Sequence, residues 1–103
     1  MSSNIRVTGV PEEDEKDQEI GSLFEKIMKE NFPNLVKEID MQIQEAQRFP
    51  NKWEAKRPTP RHIIIKMPKV KDKETILKAV RERQRVTHKG FSIRLSAYFL
   101  KEI

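Results

Sequence analysis

"RPTPRHIIIKM", residues 57–67, is the stretch on which the fold turns. Three consecutive isoleucines, Ile63 to Ile65, read as a strand against a core, with cations standing before and after them. Successive side chains on a strand point to opposite faces, so Ile63, Ile65 and Met67 share one side and His62, Ile64 and Lys66 the other. Pro58 and Pro60 stiffen the approach, and Pro68 stops the run. Such a strand needs a cover on its apolar face and shows charge on the other.

Working upstream, "MQIQEAQRF" (41–49) alternates from Met41 and Ile43, which predicts a second strand. Between the two lies "PNKWEAKRPTP" (50–60), an extended loop with three prolines and the cations Lys52, Lys56 and Arg57, followed by Arg61. Further back, Ile20, Leu23, Phe24, Ile27 and Met28 recur at helical spacing, and Phe32-Pro33-Asn34 ends that helix. The acidic run 12–19 leads into its N-terminus, where negative charge suits the helix dipole. "NIRVTGV" (4–10) alternates Ile5 and Val7 with Asn4, Arg6 and Thr8, a half-buried strand. Downstream, residues 72–85 predict a helix with Asp72 as N-cap and Ile76, Leu77 and Val80 facing inward. Residues 86–96 read as a short strand, a turn at Lys89-Gly90 and a last strand carrying Ile93 and Leu95.

The order is β-α-β-β-α-β with a small extra hairpin before the last strand. The expected fold class is α+β: a ferredoxin-like βαββαβ sandwich of the non-standard RNA-recognition-motif (RRM) kind. It has a four-stranded antiparallel sheet with two helices on one face. At 103 residues this is one domain. Residues 1–3 read as an initiator plus an appended scar, 4–97 as the domain, and 98–103 as a tail or the start of a linker to a C-terminal domain absent here.

Net charge is +5, but residues 1–47 sum to −6 and residues 48–103 to +11. That asymmetry points to a polyanion-facing half. There are no cysteines, so disulfides, a Cys-based zinc site and a thiol nucleophile are excluded. No apolar run approaches the roughly 18 residues of a membrane span. His62 and His88 lie in different strands with no paired nucleophile and no ligand spacing, so no catalytic residue, metal or cofactor is expected. An acylphosphatase-type enzyme shares this element order, but its anion-holding loop would fall on "GVPEEDE", whose carboxylates repel phosphate.

Parity assigns Asn4, Arg6, Thr8, His62, Ile64, Lys66, Ser92, Arg94 and Ser96 to the uncovered face. Arg6, Lys66 and Arg94 are expected as a cationic row across it, and like charges side by side repel unless an anion joins them. The stacking aromatics of an ordinary RRM are missing from the first and third strands. Binding should therefore lean on phosphate contacts, be salt-sensitive and tolerate many sequences. Trp53 either stacks a base or folds back onto the sheet edge.

"NIRVTGVPE", "ENFPNL", "QIQEAQR", "TPRHIIIK", "ILKAVRE" and "VTHKGFSIRL" together resemble the central RRM of the RNA-binding protein encoded by the first open reading frame of LINE retrotransposons. A domesticated host gene derived from such an element would look the same. The resemblance covers residues 4–97. It implies a binder of single-stranded RNA, and of single-stranded DNA as a second ligand, with nucleic-acid chaperone behaviour in a cytoplasmic ribonucleoprotein or its granules. The family's RNA contacts fall on Asn4, Arg6, Lys52, Lys56, Arg57, Arg61 and Lys66; Trp53 and Arg94 join them from the residue-level reading. Lys52, Lys56 and Lys66 stand where the family typically has Arg, keeping charge but losing the planar fork. The family trimerises through a coiled coil that precedes this domain, so this stretch alone is expected to be a monomer, without a membrane partner. The competing reading is a protein-interaction module with an RRM-like fold and no strong RNA binding.

Overall fold

Alternation along β1 (Asn4–Thr8), β3 (His62–Lys66) and β5 (Phe91–Tyr98) sends one parity of each strand into a single core. In the computed structural model, which describes residues 4–15, 18–83 and 85–99, these strands join β2 (Glu45–Phe49) and β4 (Val86–His88). The result is an α+β fold built on an open antiparallel five-stranded sheet of order β2-β3-β1-β5-β4. The expected four strands become five because the extra hairpin is part of the sheet: Val86 pairs with Ile93 and His88 with Phe91. Two features hold β4 there. Lys89 (φ 51) and Gly90 (φ 83) supply the consecutive positive φ angles that a tight hairpin turn needs. The Asn31 side chain, 4% exposed, donates to the Ile27 and Thr87 carbonyls and accepts from the Thr87 N–H, tying the end of α1 to β4.

The helices are α1 (Ile20–Asn31), α2 (Pro33–Glu38) and α3 (Val70–Glu82), with a 3-10 turn at Glu12–Glu15. Leu23, Phe24, Ile27 and Met28 of α1 and Ile76 and Leu77 of α3 meet Ile5, Val7, Ile63, Ile65, Ile93 and Leu95 in one cluster. Each large side chain buried there contributes about 1.5–3 kcal/mol. Ile64, of the opposite parity, lies outside that cluster.

Three local expectations are corrected. Met41 and Ile43 precede the strand and pack, half-buried, against the core, while β2 begins at Glu45. Pro33 ends α1 but also opens α2, because a proline lacks only an N–H that the first helical position leaves unpaired. Asp72 sits in the first turn of α3 rather than at its cap, which is Lys69. Glu82 ends that helix, and Gln84 lies outside the described residues. So do residues 1–3 and 100–103, the expected scar and most of the tail. Tyr98 still belongs to β5, paired with Asn4, and the Phe99 ring lies 5.4 Å from the Lys73 ammonium of α3.

Candidate nucleic-acid interface

The uncovered face can be read as rows set by strand register. Glu45, Lys66, Asn4 and Tyr98 form one row; Gln47, Ile64, Arg6 and Ser96 form the next. Beyond them Phe49 pairs with His62 and Thr8 with Arg94. Lys66, Arg6 and Arg94 therefore stand on successive rows, along a diagonal, rather than side by side as expected. Arg6 has Ile64 and Ser96 opposite it, and Lys66 has Glu45 and Asn4. No direct like-charge pair arises among the three, so repulsion does not argue for an anion.

A different observation points to a ligand. Among the described residues, three buried side-chain atoms have no hydrogen-bond partner: Asn4 Oδ1, Arg6 Nε and Arg57 Nε. All three belong to the residues singled out from the sequence. A shielded polar atom left unpaired costs about 1–3 kcal/mol, a penalty that water or a ligand removes.

The β2–β3 loop carries Lys52, Trp53 and Lys56, all exposed, and Arg57, which is half-buried. Trp53 remains 59% exposed, so it does not plug the sheet edge. With Arg57, Pro58 and Phe91 it lines a groove of about 570 Å3 that also meets Glu12 and Glu13.

Arg61 is engaged within the protein. Its Nε and Nη2 donate to the Glu12 carboxylate at 2.9–3.2 Å, its backbone N–H to the same group, and its Nη1 to the Asn51 carbonyl at 2.8 Å. Arg48 lies beside it, 4% exposed, donating to the carbonyls of Val10, Pro11 and Arg61 at 2.7–2.9 Å. These two arginines and Glu12 fasten the segment after β1 to the base of the β2–β3 loop. The hydrogen bonds from Arg61, with help from the Arg48 charge and against partial burial, hold the Glu12 carboxyl below its ordinary value of 4.5.

Sequence reasoning missed Arg48, whose place among loop cations hid a buried role. It also missed Phe49 and Tyr98, the aromatics on the uncovered face. Parity along β2 points to Phe49, half exposed opposite His62, and extension of β5 past Ser96 points to Tyr98. Among the described residues no cluster of His, Asp or Glu could hold a metal, and no helix is long and apolar enough to cross a membrane.

Residues 2–98 match the family described as the L1 transposable element RBD-like domain. The chain is similar to the mouse LINE-1 retrotransposable element ORF1 protein, 47% identical over 96% of this chain and 28% of that protein. It is also similar to the LINE-1 type transposase domain-containing protein 1 of human (42% identical) and mouse (40%). Those alignments span 93% of this chain but only 11% and 12% of the relatives. The chain thus spans under a third of the length of each of these three relatives.

Proposed function

Because the chain belongs to the L1 transposable element RBD-like domain family, we propose that it binds single-stranded RNA through the uncovered face of its sheet and the β2–β3 loop. The observation that carries this reading is the set of unpartnered buried atoms on Asn4, Arg6 and Arg57. A phosphate oxygen would accept from the two arginine Nε–H groups, and a donor on a base edge would reach Asn4 Oδ1. Lys66, Arg94, Lys52 and Lys56 add charge for the backbone, and Trp53 an exposed ring for stacking. Arg61 would act by holding the loop in place, since its guanidinium is engaged with Glu12.

The strand order without β4, and two helices packed on one side, support a ferredoxin-like, RRM-type assignment for residues 4–97. We read the domain as a binding module rather than an enzyme. Its setting would be the RNA–protein particle of a LINE-type element in the cytoplasm, with a chaperone role in the longer protein. Trimer formation would then belong to a segment outside this stretch.

Titration of labelled single-stranded RNA at increasing salt tests the reading. Affinity should fall steeply, and each of Arg6→Ala and Lys66→Ala should flatten the log–log slope by about 0.7 per lost phosphate contact. Binding that ignores salt and both substitutions would instead favour a protein-interaction module.

A further inference from the structure

Beside the cations that face the phosphates, the uncovered face holds a small cavity. It measures about 110 Å3 and is lined by Asn4, Gln47, Phe49, Ile64, Lys66 and Tyr98. Register puts all six on the same face, drawn from β1, β2, β3 and β5. Ile64, only 9% exposed, makes the lining apolar, and the rings of Phe49 and Tyr98 add aromatic surface. Asn4 is 4% exposed, and its Oδ1 has no partner among the described residues.

A phosphate is a poor occupant. Among the described residues Lys66 is the one cation lining the cavity, and Glu45, opposite it on β2, also lines the space with negative charge. An aliphatic group would leave the Asn4 amide unsatisfied. Planar aromatic surface, an apolar residue and a buried amide together suit a flat heterocycle with a hydrogen-bonding edge. A closed cavity of about 150 Å3 holds benzene, so this smaller one, open to solvent, takes the edge and part of the face of a single ring, the rest standing clear of the surface.

We infer that this cavity is a nucleobase pocket, taking one unpaired base of the bound strand against Phe49 and Tyr98, with its edge hydrogen-bonded to Asn4. The inference rests on the RNA-binding reading and adds to it a site that recognises a base rather than the backbone. A base held in a duplex cannot present its ring and edge there, so the pocket selects for single strands. Sequence-level inspection of β1 and β3 alone misses it, because the aromatic rings stand on the flanking strands β2 and β5.

The test compares an ordinary single-stranded RNA with an abasic strand of the same length and charge, by fluorescence anisotropy. The wild-type chain should bind the base-bearing strand more tightly, by roughly fivefold or more for one stacked base. Phe49→Ala and Tyr98→Ala should each shrink that ratio while affinity for the abasic strand stays the same. Tyr98→Phe should keep the ratio. Phe49 is half exposed, so its variant decides the matter if Tyr98→Ala fails to fold. Equal affinity for both strands, or a ratio untouched in folded Phe49→Ala, overturns the pocket and leaves phosphate binding standing. Failure to bind either strand rejects both readings.

Discussion

Arg48, Arg61 and Lys66 look alike in the sequence, as cations around one strand pair, yet their surroundings divide them. Arg48 is buried against three backbone carbonyls, so Arg48→Ala would leave those acceptors unpaired and should cost about 2–4 kcal/mol in a denaturant melt. Lys66 is half-buried on the uncovered face, and Lys66→Ala should change the melt by no more than about 0.5 kcal/mol. The melt of Arg61→Ala should fall between the two, because its bonds to Glu12 are only partly shielded. Equal melts for all three variants would contradict this division. The depressed Glu12 carboxyl gives a pH test with a definite sign. A group whose pKa is lowered by folding stabilises the fold above its unfolded pKa, the ordinary 4.5 for Glu12, and loses that contribution as pH falls through the folded value. The stability gap between wild type and Glu12→Gln should therefore be present at neutral pH and close in acid. A gap that persists unchanged into strong acid would show that the ionised carboxylate is not what holds the loop.

At the scale of elements, parity was legible and register was not. The alternation in "RHIIIKM" correctly separates Ile63 and Ile65 from Lys66, because burial on one face imposes period two. Which residue lies opposite which is decided by pairing across the sheet, so the diagonal of Lys66, Arg6 and Arg94 could not be read from any one strand. The six-residue α2 was equally hidden, since Pro33 reads as a stop before it reads as a start. The sequence predicts β4 as a hairpin arm, but its place in the sheet depends on Asn31, fifty-six positions from Thr87. One glycine matters at this scale. Gly9 has φ +96, and an added Cβ would lie 2.9 Å from the Ser92 carbonyl of β5. Gly9→Ala should thus cost at least about 1 kcal/mol and loosen the β1–β5 edge, seen as faster amide exchange in β5. Unchanged exchange there would mean that the backbone has room to relax.

Across the whole molecule, charge alone does not mark the candidate face. The basic half of the sequence also supplies Lys71, Lys78 and Arg81 to α3, in the helix layer, whereas Glu45 stands on the uncovered face. What distinguishes the uncovered face is a combination: unpartnered buried atoms on Asn4 and Arg6 together with the half-exposed Phe49 ring. The cations of the candidate site are therefore legible in the sequence, whereas its aromatic component depends on how β2 and β5 flank β1 and β3. The most direct test of the central claim is an RNA titration followed through backbone amide chemical shifts. Binding on the uncovered face should move Arg6, Ile64, Lys66 and Tyr98 together with the loop from Lys52 to Arg57. Shifts confined to α1 and α3, or none at saturating RNA, would contradict it.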